Sequence, residues 1–466
     1  MEKMKKNIRR VFWLYFILFA ALVVYFGKFM IRDRAAVINS SLNPRMNITD
    51  AEVARGSIFD SEGRPLAASS GAKREYPYGR AFAHVVGYAD KTAGLSGVEQ
   101  KYNLSLQSVH LELVQRLANF ITASPIRGND IYLTLNAELQ ELAYGLLEGH
   151  KGAVIIAEPS TGKILAMVSR PDFDPNTVGG EWAALRADNE NSPLLNRASQ
   201  GKYPPGSVFK VLTAAAALES LHDIAEYRYE CAGSEDFNGE ANRIRCFNST
   251  EHGTVDIHRA FALSCNTFFA NVGFGMGPTA LADQADRLYF NRQIPFALEA
   301  GASSFPLTEG AGASEIIETS IGQGRTMATP LHMALITSAI ANGGIMMKPY
   351  VADRVVAYNG SVTEKTLPVA VDRVFEPETA DLLKNMMAET MEYGTGVDAR
   401  PDGFTSAGKT GSAQNPIGED HGWFIGFAPA EEPAVTVCVV LENCGGSRKT
   451  LPIAKKLLEA GARIYE

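Results

Sequence analysis

Tyr203-Pro204-Pro205-Gly206-Ser207-Val208-Phe209-Lys210, running on into Val211-Leu212-Thr213-Ala214-Ala215-Ala216-Ala217-Leu218, is the stretch around which the chain is organised. Two prolines and a glycine halt the backbone, and an alanine- and leucine-rich run of high helix propensity starts at Ser207. This places Ser207 in the first turn of a helix, where free N–H groups and the positive dipole end favour developing negative charge. Lys210 is expected on the same face, one turn above the hydroxyl. A serine with an amine in reach at a helix start is the arrangement of an activated nucleophile.

Ser-x-x-Lys alone is a weak signal, since it begins at Ser70, Ser160, Ser199, Ser207 and Ser406. Only at Ser207 does a rigid Pro-Pro-Gly approach precede an apolar helix, and an N-cap serine on a buried helix would look the same. The remaining sequence has to decide.

At 466 residues the chain has room for two or three domains, or one large and one small. A net charge of −8 argues against nucleic acid as a partner. Basic residues cluster only at Lys3, Lys5, Lys6, Arg9 and Arg10. From Val11 to Gly27 no residue is charged, and the apolar run resumes at Phe29-Met30-Ile31. That length crosses a ~30 Å hydrocarbon core. Lys28 can snorkel to the interface, and Trp13, Tyr15 and Tyr25 fall near the ends. The positive-inside rule then leaves residues 1–10 as a cytoplasmic tail, 11–31 as the transmembrane anchor, and the rest outside. A cleaved signal peptide is the rival, but its apolar core is usually about 7–15 residues.

Outside the membrane disulfides are permitted. The five cysteines lack C-x-x-C spacing and are read as neither a metal site nor a disulfide scaffold. Cys231 and Cys246 flank a loop rich in Gly, Asn and Glu, which leaves a pairing between them open. Cys265 reads as packing. The eight histidines show no H-E-x-x-H motif and no i, i+4 pair, so they read as structural or solvated.

Residues 33–150 form shorter mixed segments. Residues 55–60 and 63–67 read as strand, turn, strand, residues 94–99 as a turn-rich knot, and residues 130–135 as a strand. Asn136 is placed to cap a helix with Leu139, Leu142, Ala143, Leu146 and Leu147 on one face. Residues 151–466 open with two apolar strands, 153–157 and 164–168, in a hairpin pattern. A helix is expected over 256–270, with Ser264-Cys265-Asn266 inside or at its end. Strands over 424–427 and 434–440 precede a last amphipathic helix over 452–464. This order predicts an α/β sandwich whose two chain ends share one sheet.

Gly403 to Thr410 matches G-x-x-x-x-G-K-T letter for letter. A phosphate-binding loop needs a buried strand before it and a helix after it, and neither Ala399-Arg400-Pro401-Asp402 nor Gly411-Ser412-Ala413-Gln414-Asn415-Pro416 supplies one. Lys409-Thr410-Gly411 instead completes an ordered set. Lys-Thr-Gly occurs once, and Ser-x-Asn occurs as Ser41-Leu42-Asn43 and Ser264-Cys265-Asn266. Ser-x-x-Lys, Ser-x-Asn and Lys-Thr-Gly in that order are the marks of penicillin-recognising serine enzymes.

With these residues, the chain resembles a class B penicillin-binding protein, and its length is similar to the short members called penicillin-binding protein A. Further resemblances are Arg55-Gly56 with Asp60, Gly97-Val98-Glu99, Leu133-Thr134-Leu135-Asn136, Asn196-Arg197, Gly322-Gln323-Gly324 and Trp423-Phe424 with Gly426-Phe427. Ser412 departs from the threonine many members carry, the N-terminal domain is compact, and no C-terminal accessory module is seen. The resemblance implies an α/β penicillin-binding/β-lactamase-like transpeptidase domain: an antiparallel sheet flanked by helices, plus an all-helical subdomain, behind a small α+β pedestal.

It also implies peptidoglycan D,D-transpeptidation without cofactor or metal. Ser207 would attack the carbonyl between two D-alanines of a stem peptide. Lys210 would be the neutral base, lowered by burial and by the cation Lys409. Ser264 would relay the proton, and Asn266 would hold the substrate amide and orient Lys210. Lys409 and Thr410 would bind the terminal carboxylate, and Gly411 would let the substrate backbone lie along the strand. The N–H groups of Ser207 and Ser412 would form the oxyanion hole. β-Lactams would stall at the acyl stage, and a SEDS-family glycan polymerase is the implied membrane partner. A D,D-carboxypeptidase, a β-lactamase, and a β-lactam sensor or inactive scaffold are the alternatives.

Overall fold

The structure is a computed structural model that describes residues 2–29, 53–70, 73–107, 126–237, 239 and 242–465. Met30-Ile31 and the Ser41-Leu42-Asn43 match lie outside the described residues. Helix α1 (Glu2–Lys28) is long and apolar enough over Lys5–Lys28 to cross a membrane, and nothing in the described chain covers it. Its apolar side chains, from Ile8 to Phe26, are exposed on all sides, which suits lipid rather than water.

Strands β1 (Ile58–Phe59), β2 (Pro65–Ser70), β3 (Lys73–Glu75) and β4 (Asp130–Leu133) form the strand-turn-strand units expected before residue 150. Their six-stranded sheet also takes in Ala352–Val356 and Val362–Lys365, so the segments on either side of residue 150 share it. The turn between β1 and β2 closes on Asp60, whose Oδ1 accepts the Glu62 and Arg64 N–H groups at 2.9 and 2.8 Å. Glu99 is fully buried between two guanidinium groups, Arg55 Nε and Arg74 Nε, each at 2.7 Å. Burial alone would raise its carboxyl, but the two arginines outweigh that and hold it below its usual range. Arg55 and Glu99 therefore join two of the sequence landmarks into one buried ion network.

Asn136 Oδ1 accepts from the Leu139 N–H at 3.0 Å and starts helix α2 (Ala137–Leu146), as the capping pattern predicts. Strands β5 (Gly152–Ala157) and β6 (Ile164–Arg170) pair antiparallel. After the short strands β7 (Tyr229–Cys231), β8 (Arg243–Arg245) and β9 (Gly253–Val255), the central sheet adds three late strands, β10 (Ala407–Ala413), β11 (His421–Ala428) and β12 (Val435–Leu441). Its order is β6-β5-β12-β11-β10, antiparallel throughout, so both ends of this segment do share one sheet.

Alternation along these strands divides the core. Val154, Ile156, Val437 and Val439 join α2 and the last helix (Leu451–Arg463), while Ile155, Cys438 and Val440 join the helical region on the other face. Strands covered on both faces read as continuous apolar runs. Each buried aliphatic side chain contributes about 1.5–3 kcal/mol.

Helix α3 (Lys210–Ser220), strands β7 (Tyr229–Cys231), β8 (Arg243–Arg245) and β9 (Gly253–Val255), and helices α4 (Ile257–Ala262) and α5 (Asn266–Arg287) build that other region. It is helical, with two short antiparallel pairings: β7 with β9, and β8 with Ser234–Asp236.

Candidate active site

The α-helix begins at Lys210, later than the sequence suggests, because Gly206–Phe209 forms a 3₁₀ turn that carries Ser207. Contacts around this turn explain the difference. Gly206 adopts φ +55° and donates its N–H to Gly322 O at 2.8 Å. A Cβ on Gly206 would stand 2.4 Å from Ser412 O, and one on Gly322 2.0 Å from Gly206 O. Only glycines allow strand, loop and turn to come this close. Upstream, the Trp423 indole donates to Pro204 O at 3.0 Å, and Tyr203 exchanges backbone hydrogen bonds with Ala328. Tyr203 OH and Arg197 Nε both donate to Glu442 Oε1, at 2.7 and 2.8 Å. The turn bearing Ser207 is thus held by the landmarks at Arg197, Gly322 and Trp423.

Ser207 is half-buried, and neither its hydroxyl nor its N–H finds a hydrogen-bond partner among the described residues. Lys210 is fully buried. Its Nζ donates to Ser264 O at 2.8 Å, Asn266 Oδ1 at 2.7 Å and Ser264 Oγ at 3.2 Å, with the Phe269 ring centroid at 5.5 Å. Asn266 Nδ2 in turn donates to Arg245 O at 2.9 Å, so the amide is held from both ends.

The single helix expected over 256–270 is broken in two at Ser264. That residue has φ +56°, the left-handed conformation usually given to glycine at a helix C-terminus. The Ser264 N–H bonds Phe261 O at 3.1 Å and the Cys265 N–H bonds Ala260 O at 2.8 Å, which closes α4 in a Schellman motif. Ser264 and Asn266 therefore sit in a sharp joint, with side chain and carbonyl turned towards one amine.

Lys409 lies on edge strand β10, fully buried, with Nζ 3.3 Å from Thr410 O and 5.5 Å from the Phe261 ring centroid. No carboxylate pairs with Lys210 or Lys409 among the described residues. Burial pushes the Lys210 amine down from near 10.5 to about 8, while negative charge on Cys265 and Cys246 opposes this. Burial, and then repulsion from Lys210, hold Lys409 well below the ordinary lysine range. The sequence reading credited Lys409 with part of the Lys210 shift, whereas the structure puts that shift on burial and the repulsion on Lys409.

Thr410 Oγ1 shares a 2.6 Å hydrogen bond with Thr395 Oγ1. Sequence reasoning missed Thr395. The signal was its Gly-Thr-Gly context after helix α6 (Pro377–Glu392), since a Cβ on Gly394 would meet Ala262 O at 2.3 Å. Gly411 has a reason other than room for substrate: its Cβ would stand 3.0 Å from Val208 N and 3.1 Å from Pro205 O. The glycine lets the nucleophile turn seat on the strand. Ser412 Oγ accepts the Ser447 N–H at 3.0 Å, and its carbonyl faces Gln323 Nε2 at 3.4 Å.

A half-buried serine at a free helix start, a low-pKa lysine one turn on, and a second buried amine that repels the first define an acyl-transferring serine enzyme. Comparison with known proteins agrees. The family model for the penicillin-binding protein transpeptidase domain matches residues 152–459, and that for the penicillin-binding protein A dimerisation domain matches 55–131. PbpA of Mycolicibacterium smegmatis, a peptidoglycan D,D-transpeptidase, is 33% identical over 84% of this chain and 84% of its own. The ceftriaxone acyl-enzyme of penicillin-binding protein A from M. tuberculosis is 30% identical, with a TM-score of 0.82 over 88% of this chain and 99% of that one. The D,D-transpeptidase domain of a peptidoglycan glycosyltransferase from Eggerthella lenta is 31% identical, with a TM-score of 0.80 over 89% and 99%. The chain belongs to the penicillin-binding protein transpeptidase family.

Proposed function

We propose that this chain is a membrane-anchored serine D,D-transpeptidase that cross-links peptidoglycan stem peptides and is acylated by β-lactams. The observation that carries the reading is the Lys210 amine, held on Ser264 and Asn266 one turn from Ser207. Ser207 Oγ attacks the carbonyl of the penultimate D-Ala and gives its proton to neutral Lys210. The collapsing intermediate expels the terminal D-Ala, whose amine takes a proton relayed from Lys210 through Ser264 Oγ. An acceptor amine then repeats the steps in reverse. The unpaired Ser207 N–H and the Ser412 N–H on the edge strand stabilise the oxyanion.

Substrate completes the charge pattern. Its terminal carboxylate, arriving at Lys409 and Thr410, favours the charged form of Lys409. That cation, through the repulsion already present, favours neutral Lys210. Asn266 keeps one amide hydrogen for the substrate, the other being on Arg245 O.

The exposed apolar face of α1, behind its basic start, supports a single-pass anchor with a cytoplasmic N-terminus and residues beyond it outside. We assign 1–10 to the tail, 11–31 to the anchor, 33–150 to a pedestal and 151–466 to the transpeptidase domain, with a SEDS-family polymerase as glycan-supplying partner. Fluorescent penicillin tests the assignment: one covalent adduct is expected, absent in Ser207→Ala, and an adduct that persists in that variant overturns it. With a thioester donor and a D-amino acid, exchange supports transpeptidation. Hydrolysis alone makes the protein a carboxypeptidase.

A further inference from the structure

In Gly322-Gln323-Gly324 both glycines take the left-handed conformation, with φ +76° and +73°, and set Gln323 beside the nucleophile turn. Gly322 O accepts the Gly206 N–H at 2.8 Å, and the Gln323 N–H bonds Glu318 O at 2.9 Å, so the backbone at this residue is held from two sides. Its half-buried side chain reaches the free edge of β10, the end strand of the central sheet. There Gln323 Nε2 faces Ser412 O at 3.4 Å, and Gln323 Oε1 accepts the Gln414 N–H at 3.3 Å.

Alternate residues of a strand turn their N–H and C=O groups to the same edge, so Ser412 and Gln414 are successive pairing positions for an added strand. A glutamine amide carries one acceptor and one N–H donor group, as a peptide group does. On β10 it fills the place of one, its oxygen on an N–H and its nitrogen on a carbonyl.

The donor arrives on the same edge. With its terminal carboxylate at Lys409 and Thr410 and its scissile carbonyl at the Ser412 N–H, it runs antiparallel to β10. The penultimate D-Ala then pairs with Ser412, exchanging both bonds with it, since the Ser412 carbonyl has a second lone pair beside the one facing Gln323. The next edge group upstream is the Gln414 N–H, and Gln323 already holds it.

We propose, on the reading of β10 as the donor's edge, that Gln323 caps this edge and is a specificity-determining residue that confines strand pairing to the penultimate D-Ala. The site then selects its donor on the terminal D-Ala-D-Ala and accepts upstream chain whose backbone cannot continue a strand. The cap also shields an edge that would otherwise offer unpaired groups to any extended peptide.

The test uses the full chain in detergent with two thioester donors, N-acetyl-D-alanyl and N-acetyl-glycyl-D-alanyl. The acetyl carbonyl of the longer one falls at the position of Gln414. Gln323→Ala should raise the ratio of kcat/KM for the long over the short donor about 5-fold above that of the parent, the weight of one net hydrogen bond, and the gain should lie in KM. A general loosening of the site lowers both donors together and leaves the ratio where it was; an unchanged or lower ratio overturns the proposal. Hydrogen exchange reads the cap without any donor. In the unaltered chain the Gln414 amide should exchange at least about 10-fold more slowly than in Gln323→Ala. A Gln414 amide that exchanges at the free-peptide rate in the unaltered chain also overturns the cap, whatever the variant does. Failure of the transpeptidase reading shows instead in the penicillin adduct at Ser207, so the two failures are distinct.

Discussion

Glu99 and Lys210 are both fully buried ionisable groups, yet the protein treats them in opposite ways. Around Glu99 two arginines supply opposite charge, and the carboxyl titrates below its usual range. Around Lys210 the neighbours are hydroxyl, carbonyl and amide, the charge it works against is that of another lysine, Lys409, and the amine titrates low. The first arrangement compensates charge and joins segments distant in sequence. The second leaves a desolvated amine uncompensated, at a cost of about 3 kcal/mol on the scale of its shift. Buried charge that is balanced points to architecture, and buried charge left unbalanced points to chemistry.

The contrast is broken most directly at Lys210. Lys210→Met keeps the volume and removes the amine, so acylation by fluorescent penicillin should fall by about 10²–10⁴-fold, the range of a lost general base. The same variant should melt no lower than the parent, because relief of the uncompensated buried charge offsets the loss of its hydrogen bonds to Ser264 and Asn266. A destabilised Lys210→Met would show that the amine is structural.

Glu99→Gln is the converse. It strands Arg55 and Arg74 without their counter-charge and should destabilise the fold by about 3–5 kcal/mol in chemical denaturation. The penicillin adduct at Ser207 should still form in molecules that remain folded. An unchanged denaturation midpoint would mean that the arginines find other partners.

Titration sharpens the comparison. The Glu99 pKa is depressed, so its stabilisation is present above the unfolded carboxylate value and is lost as pH falls through the folded value. The Lys210 pKa is also depressed, but for an amine this is a penalty: it persists below about pH 8 and is relieved as pH rises towards the ordinary lysine value. Lys409, Cys246 and Cys265 are the other ionisable groups whose charge acts on or responds to this amine. Acylation should therefore rise with pH through about 8 and level off above it. A rate flat from pH 6 to 9 would remove Lys210 from the base role.

The two regions were also unequally legible. Ser207, Lys210, Ser264, Asn266 and Lys409 could be found in sequence because each lies in a short motif in a fixed order. The hairpin of β5 and β6, the Asn136 cap and the shared sheet followed from periodicity and turn residues, which act locally. Thr395 and the grouping of Cys231, Cys246, His252 and Cys265, free cysteines and a histidine whose Sγ and ring nitrogen atoms lie within 4.8 Å of one another, depend on contacts between distant segments, which leave no periodic trace. The 3₁₀ turn at Ser207 escaped for the same reason, since Gly322 and Ser412 impose it from elsewhere in the chain. Gly411 was singled out, but for substrate room rather than the close approach of Val208 and Pro205.

The smallest expected effect separates strain from chemistry at Ser264. A non-glycine residue in the left-handed region costs about 1–2 kcal/mol, here offset by the bonds that close α4 and by the contact of Ser264 Oγ with Lys210. Ser264→Gly relaxes the backbone and Ser264→Ala leaves it strained, while both remove the hydroxyl. Both should slow acylation alike, since the proton relay is lost in each. In denaturation Ser264→Gly should exceed Ser264→Ala by about 1 kcal/mol, after the entropy of the unfolded glycine is counted. Equal stabilities would mean that the joint stores no strain. In that case the serine is kept in a glycine's conformation for its hydroxyl at no cost to the fold, and the contrast with the compensated region around Glu99 narrows to Lys210 alone.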